Sequence, residues 1–208
     1  MFALLAALVL GGFLHGSGWL AGEQPSARQT SPGTVQPGSP SSTTAWIDVP
    51  FVAQTTDGCG SASLAMVMRY WLAQEHRPPT PASDPQQIQT QLFSRRARGI
   101  YASRMTGYLR RSGFAAFPFH GQWSDLKHHI ALGRPLILAL RDGGPHGPLH
   151  YVVAVGIARD FIYLNDPARQ RMLRLDRAGL LAEWNATDDW TLLAVPQPAP
   201  SDSAPASR

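Results

Sequence analysis

The sequence predicts an α+β domain, helical in its first half and an antiparallel meander in its second. Two patterns carry this. From Cys59 to Gln74, Leu64, Val67, Met68, Trp71 and Leu72 recur at three- and four-residue spacing, the mark of a helix with a broad buried face. After Pro135 the apolar residues gather instead into short runs bounded by Gly, Pro, Asn and Asp, the pattern of buried strands joined by turns. Helices first and strands second is the order of an α+β arrangement, and 208 residues at 44% apolar content suffice for one sizeable core.

The chain divides into four parts. Residues 1–22 open with the apolar run FALLAALVLGGFL, of a length that suits a signal-peptide core or a short membrane anchor. No Lys or Arg precedes the run and no clean A-x-A site follows it, though Ala21 or Gly22 could end a removed segment. Residues 23–45 are rich in Pro, Ser, Thr and Gly and nearly free of large apolar side chains; they cannot bury enough surface to offset their ordering entropy, so a flexible tether is expected. Residues 197–208 share that composition. The folded domain is expected at 46–196, and the chain as a whole is expected to be exported across, or anchored to, the cytoplasmic membrane.

Within the domain, Trp46 to Val52 reads as a short strand leading to the loop at Gln54. The helix from Cys59 ends before the Pro-rich stretch 77–85. Asp84 followed by Pro85 is an N-cap with proline at the first helical position, opening a helix to about Phe93. A third helix is expected at about 103–111, closed by Ser112-Gly113. A fourth opens at Ser124 or Asp125, runs from Leu126 to Leu132 and is capped by Gly133. Strands follow at 135–140, 150–156, 161–167 and 171–175, then a short helix at 177–184 and a last strand from Trp190 to Val195.

Composition narrows the function. The net charge of +4 comes almost entirely from Arg, with Lys127 the only lysine. Apart from Arg95-Arg96-Ala97-Arg98 and Arg110-Arg111 the basic residues are scattered, and no basic stripe is interleaved with aromatics, so nucleic-acid binding is not expected. A single cysteine excludes an intramolecular disulfide, a multi-cysteine zinc site and an iron–sulfur cluster. His146 and His150 stand at H-x3-H spacing, but Gly147 and Pro148 between them prevent a helix from aligning the rings. His128 and His129 are adjacent on a helix and point about 100° apart. No metal or other cofactor is expected.

The chemistry centres on that cysteine. Cys59 opens the main helix, where the positive end of the helix dipole favours a thiolate, and Gly58 and Gly60 leave little bulk around the sulfur. His150 heads an apolar strand. If the turn between the 150–156 and 161–166 strands centres near Ala158, His150 faces Asp166 across the pair, with β-carbons about 5 Å apart; a slip of one residue brings Asn165 there instead. Either could accept a hydrogen bond from the imidazole Nδ1 and fix its tautomer. Gln54 can offer its carboxamide to a developing oxyanion beside the Cys59 backbone N–H. The chain order Gln, Cys, His, Asp is that of papain-like enzymes.

The segment VPFVAQTTDGCGSASLAMVMRYW, with LHYVVAVGI and IYLNDP downstream and Glu183-Trp184 in the late helix, resembles cysteine peptidase family 39, the bacteriocin-processing double-glycine leader peptidases and their stand-alone relatives. The resemblance implies a papain-like fold in which N-terminal helices pack on a C-terminal antiparallel sheet. It implies Cys59 as nucleophile, His150 as general base and acid, Asp166 as orienter and Gln54 as oxyanion donor, acting on a peptide or protein substrate. A transporter partner is not specified, and contact with a membrane would run through the N-terminal segment. A non-catalytic peptide-binding domain of the same fold, or an acyl transferase with the same residues, are the alternatives.

Overall fold

A computed structural model describes residues 44–198. The expected signal or anchor at 1–22, most of the tether and nearly all of the C-terminal tail lie outside the described residues. None of the described helices is long and apolar enough to cross a membrane.

The architecture is α+β. A short strand β1 (Thr44–Trp46) leads through an irregular segment to the main helix α1 (Cys59–Gln74), followed by α2 (Pro85–Leu92) and α3 (Ala102–Arg111). Then come β2 (Phe114–His120), α4 (Trp123–Ala131), β3 (Leu136–Arg141), β4 (Leu149–Ala158), β5 (Phe161–Asn165), β6 (Leu173–Asp176), α5 (Arg177–Trp184) and β7 (Trp190–Pro196). The strands form one seven-stranded sheet in the order β2-β7-β3-β4-β5-β6, with β1 added against the far end of β4. Every pairing is antiparallel.

Local signals account for most boundaries. The Asp84 carboxylate accepts from the backbone N–H groups of Gln86 and Gln87, capping α2 ahead of Pro85. Helix α4 begins earlier than expected, because Gln122, two residues before Ser124, is its N-cap. Asp125 sits at the third helical position, where its carboxylate accepts from the Gln122 N–H at 2.8 Å. Gly133 follows the helix with φ of +69°, the left-handed conformation such an ending needs.

Three expectations are corrected. The first strand is shorter than 46–52 and starts earlier: it takes in Thr44 and Ala45, both inside the stretch expected to be a tether, because they pair with Ala158 and Ile157 of β4. Past Trp46 the chain leaves the ladder and is held by single bonds, Ile47 N–H to the Val155 carbonyl at 2.7 Å and the Asn165 side-chain amide to the Val49 carbonyl at 3.1 Å. The C-terminal tail does not break away at 197, since the Gln197 N–H donates to the Gly113 carbonyl at 2.9 Å. Finally, β2 was not foreseen. It carries Pro118, which a central strand cannot accommodate, but β2 is the edge strand and pairs with β7 alone, so the missing N–H is tolerated.

The core is continuous. Helix α1 buries Leu64, Ala65, Met66, Val67 and Met68 against the sheet, where Leu136 to Leu140 and Tyr151 to Val155 are buried too. Gly156 marks a close crossing: a β-carbon there would lie 3.1 Å from Trp46 Cβ and 3.2 Å from Tyr163 Cβ, so only glycine lets three strands meet. Trp184 of α5 is fully buried, and its indole N–H donates to the Trp190 carbonyl at 3.2 Å. Truncating it removes a large apolar volume that the surrounding sheet cannot refill. Trp184→Ala should destabilise the domain by about 3–5 kcal/mol, read as a fall in denaturant midpoint with an unchanged m-value.

Candidate active site

The site forms where the start of α1, the head of β4 and the turn after β5 converge. The chain from Gln54 to Cys59 folds through a turn closed by the Gly58 N–H to the Thr55 carbonyl at 3.0 Å. A β-carbon on Gly58 would sit 2.9 Å from that carbonyl oxygen, which explains the glycine just before the helix. The Ser61 hydroxyl donates to the Gly58 carbonyl at 2.9 Å and steadies the first turn. Cys59 is a free thiol, partly exposed, at the first position of α1. On its other side Gly60 is buried; a β-carbon there would approach Ile100 Cβ to 3.2 Å and the Tyr151 ring to 3.4 Å.

His150 is buried in the second position of β4, and its Nε2 lies 2.8 Å from Asp166 Oδ1. The expected contact is present, but its geometry is corrected in two respects. The turn is Arg159-Asp160, one and a half residues later than a centre at Ala158, so Ala158 pairs with Phe161. Extended without interruption, that register would set Asp166 opposite Val153, on the face away from His150. A β-bulge intervenes: Ala154 pairs with Leu164 and Gly156 with Tyr163, leaving Val155 as the extra residue. Beyond the bulge Val153 pairs with Asn165, and the next step puts Asp166 opposite Val152, on the His150 face and diagonal to it. The bonded nitrogen is Nε2 rather than Nδ1, so Nδ1 is the nitrogen left for Cys59.

Asn165, the alternative neighbour, does not orient the imidazole. Its side chain is buried and joins the Val49 carbonyl to the Met172 N–H, at 3.1 Å each, tying the irregular first segment to the turn after β5. Gln54 is brought to the same region by its backbone, whose N–H donates to the Pro167 carbonyl at 2.9 Å, so the loop before Cys59 is stitched to the turn after Asp166. The Gln54 side-chain oxygen is buried and has no hydrogen-bond partner among the described residues.

Sequence reasoning missed Arg169. The Asp166 carboxylate is 1% exposed and fully engaged: Oδ1 accepts from His150 and from the Ala168 N–H at 2.9 Å, and Oδ2 faces Arg169 Nη1 at 3.4 Å. Arg169 also bonds the Asp142 carboxylate in the loop before β4. The only trace of this in the sequence is the three-residue spacing within a turn, Asp166 to Arg169.

The charges respond accordingly. Burial alone would lower the His150 pKa, but the Asp166 hydrogen bond, the contact with Cys59 and the negative charge of both raise it to about 9. Asp166 moves the opposite way: burial pushes it up, and the bond and charge of His150, the Ala168 N–H and Arg169 outweigh that and hold it low. The Tyr151 hydroxyl is pushed up by burial and by Cys59.

The folded protein therefore holds the His150 proton more tightly than the unfolded chain does. Its contribution to stability is complete below the unfolded value of about 6.5 and is lost as pH rises through about 9. Asp166, lowered, contributes above the ordinary carboxylate range and loses its contribution as pH falls through its folded value. Urea unfolding of the wild type should lose stability between about pH 6.5 and 9, by on the order of 3 kcal/mol, and His150→Ala should flatten the profile across that window.

No group of three or more His, Cys, Asp and Glu among the described residues is arranged to hold a metal ion. A buried acid–imidazole pair beside a thiol at a helix start, on helices packed against an antiparallel sheet, defines the papain-like cysteine peptidase class. The chain belongs to the Peptidase_C39 like family, whose model matches residues 46–191. Its fold is similar to three solved structures. One is a double glycine motif protease from an AMS/PCAT transporter, in complex with the leader peptide: 22% identity, TM-score 0.56, 74% of this chain and 95% of that one. Another is the peptidase domain of Streptococcus ComA, a bi-functional ABC transporter involved in a quorum sensing pathway: 19%, 0.54, 71% and 98%. The third is a C39-like peptidase from Bacillus anthracis: 14%, 0.60, 76% and 100%. At these identities the likeness is one of fold. No curated protein matches the chain.

Proposed function

We propose that this protein is an active cysteine peptidase, exported or tethered to the membrane by its N-terminal segment, that hydrolyses peptide bonds through Cys59. The observation that carries the reading is the buried His150–Asp166 hydrogen bond beside Cys59, which raises the imidazole to about 9 so that it holds a proton at neutral pH. An imidazolium beside the thiol stabilises the thiolate as an ion pair.

The Cys59 thiolate attacks the carbonyl carbon of the scissile bond, and the carbonyl electrons move onto oxygen. The backbone N–H of Cys59 and the carboxamide of Gln54 are the donors for that oxyanion; the bond from Gln54 to the Pro167 carbonyl keeps its loop beside the Asp166 turn. As the tetrahedral intermediate collapses, His150 gives its proton to the departing amine and the carbon–nitrogen bond breaks, leaving a thioester. His150, now neutral, takes a proton from water, whose oxygen attacks the thioester, and the acid product leaves as the ion pair is restored. Asp166 accepts from Nε2 throughout and keeps the other ring nitrogen directed at the sulfur. The substrate is a peptide or protein segment, the class bound by the leader-peptide complex among the structural relatives.

Alkylation by iodoacetamide tests the ion pair without a substrate. At neutral pH wild-type Cys59 should be alkylated much faster than Cys59 of His150→Ala, because only the wild type has the imidazolium beside the sulfur; equal rates in both would defeat the reading. In peptide cleavage, Cys59→Ala should be inactive. Gln54→Ala should lose about 10²–10³-fold in kcat with little change in KM, because an oxyanion donor acts in the transition state.

A further inference from the structure

Between Asp84 and Asp125 the chain carries six arginines, at 95, 96, 98, 104, 110 and 111, and not one acidic residue. This segment alone therefore bears more positive charge than the +4 of the whole chain. Two of the six are partly used by the fold: Arg110 donates to the Ala116 carbonyl at 2.9 Å and Arg104 to the Leu92 carbonyl at 3.3 Å. Arg95, Arg96 and Arg98 are exposed on the connection between α2 and α3, a tight turn closed by two backbone bonds between Ser94 and Gly99. Arg95 and Arg96 have no carboxylate or side-chain hydrogen-bond partner among the described residues. Arg98 meets Asp57 at 3.7 Å while remaining 80% exposed.

The position of this turn gives the charge its meaning. Asp57 lies two residues before Cys59, so Arg98 reaches the loop that delivers the thiol. Ile100, immediately after the turn, lies close against Gly60, the residue after Cys59. Gln89 of α2 adds a third link by donating to the Asp57 carbonyl at 3.3 Å. The arginine turn is thus fastened to the chain on both sides of the nucleophile, through Asp57 and Gly60. An anionic lipid surface could meet the same charge, but it would not need the turn to be fixed to the nucleophile loop.

We infer that the Arg95–Arg98 turn is the binding surface for an acidic stretch of the peptide on which Cys59 acts. This rests on the peptidase reading for the identity of the chemistry, but not for the binding itself. The surface works by charge complementarity in solvent, so each pair adds little affinity alone and several together set preference and encounter rate. Salt weakens it, since the screening length is about 8 Å at physiological ionic strength.

The test uses the full chain carrying Cys59→Ala, which binds without cleaving, and two fluorescein-labelled peptides differing only in Glu or Gln at several positions flanking one candidate cleavage site. By anisotropy at low salt the Glu peptide should bind about five- to tenfold more tightly, with the preference fading as salt rises. Adding Arg95→Glu and Arg96→Glu, both exposed, should abolish or reverse the preference while leaving the thermal midpoint unchanged. Equal affinity for the two peptides, or a preference that survives the double charge reversal, overturns the inference. So does binding to phosphatidylserine vesicles that needs the same arginines when the Glu peptide shows no preference, because the surface then belongs to a membrane. If the preference is seen but the wild type with Cys59 cleaves neither peptide, the surface stands and the peptidase reading falls. If the wild type cleaves both equally and no preference appears, the reverse holds.

Discussion

A single extra residue in β4 controls the geometry of the site. The bulge at Val155 shifts the register between β4 and β5 by one, and because side chains alternate faces along a strand, a shift of one moves everything beyond it to the other side. That shift places Asp166 on the face of His150. Without it the carboxylate would lie on the opposite side of the sheet from the imidazole. The bulge is itself anchored, since the Val155 carbonyl accepts the Ile47 N–H of the segment leading toward Gln54.

The surrounding hydrogen bonds use this arrangement to join pieces far apart in sequence. Asn165 holds the Val49 segment, Pro167 holds Gln54, and Ala168 and Arg169 complete the shell of Asp166. A buried carboxylate is costly unless its oxygens are satisfied, and here both are. This makes the imidazole's raised affinity for its proton a property of the folded turn rather than of the histidine alone. Arg169 extends the network to Asp142, so the loop entering β4 and the turn leaving β5 share one ion-pair system on either side of His150.

The helices were legible because their signals are local. The three- and four-residue spacing in α1, the Asp84-Pro85 start of α2 and the turn residues around the strands each act within a few positions. Edge elements were less so: β1 exists only because β4 is there to pair with, and β2 hides a strand behind Pro118 that only an edge position permits. Cys59 and His150 stood out by residue type and placement at element starts. The bonded ring nitrogen did not, and the meeting of His150 with Asp166 came from turn arithmetic that the structure replaces with a different turn and a compensating bulge.

By itself, then, the sequence determined the α+β class, the helical first half, most of the strands, and the residue types gathered around one thiol, since periodicity, capping and composition act over short distances. The tertiary structure alone decided the register, the use of Nε2, the recruitment of Arg169 and the fastening of the arginine turn to the nucleophile loop. Each of these depends on which residues become neighbours once strands pair and helices pack, and a bulge of one residue, invisible in the pattern of apolar side chains, is enough to change the answer.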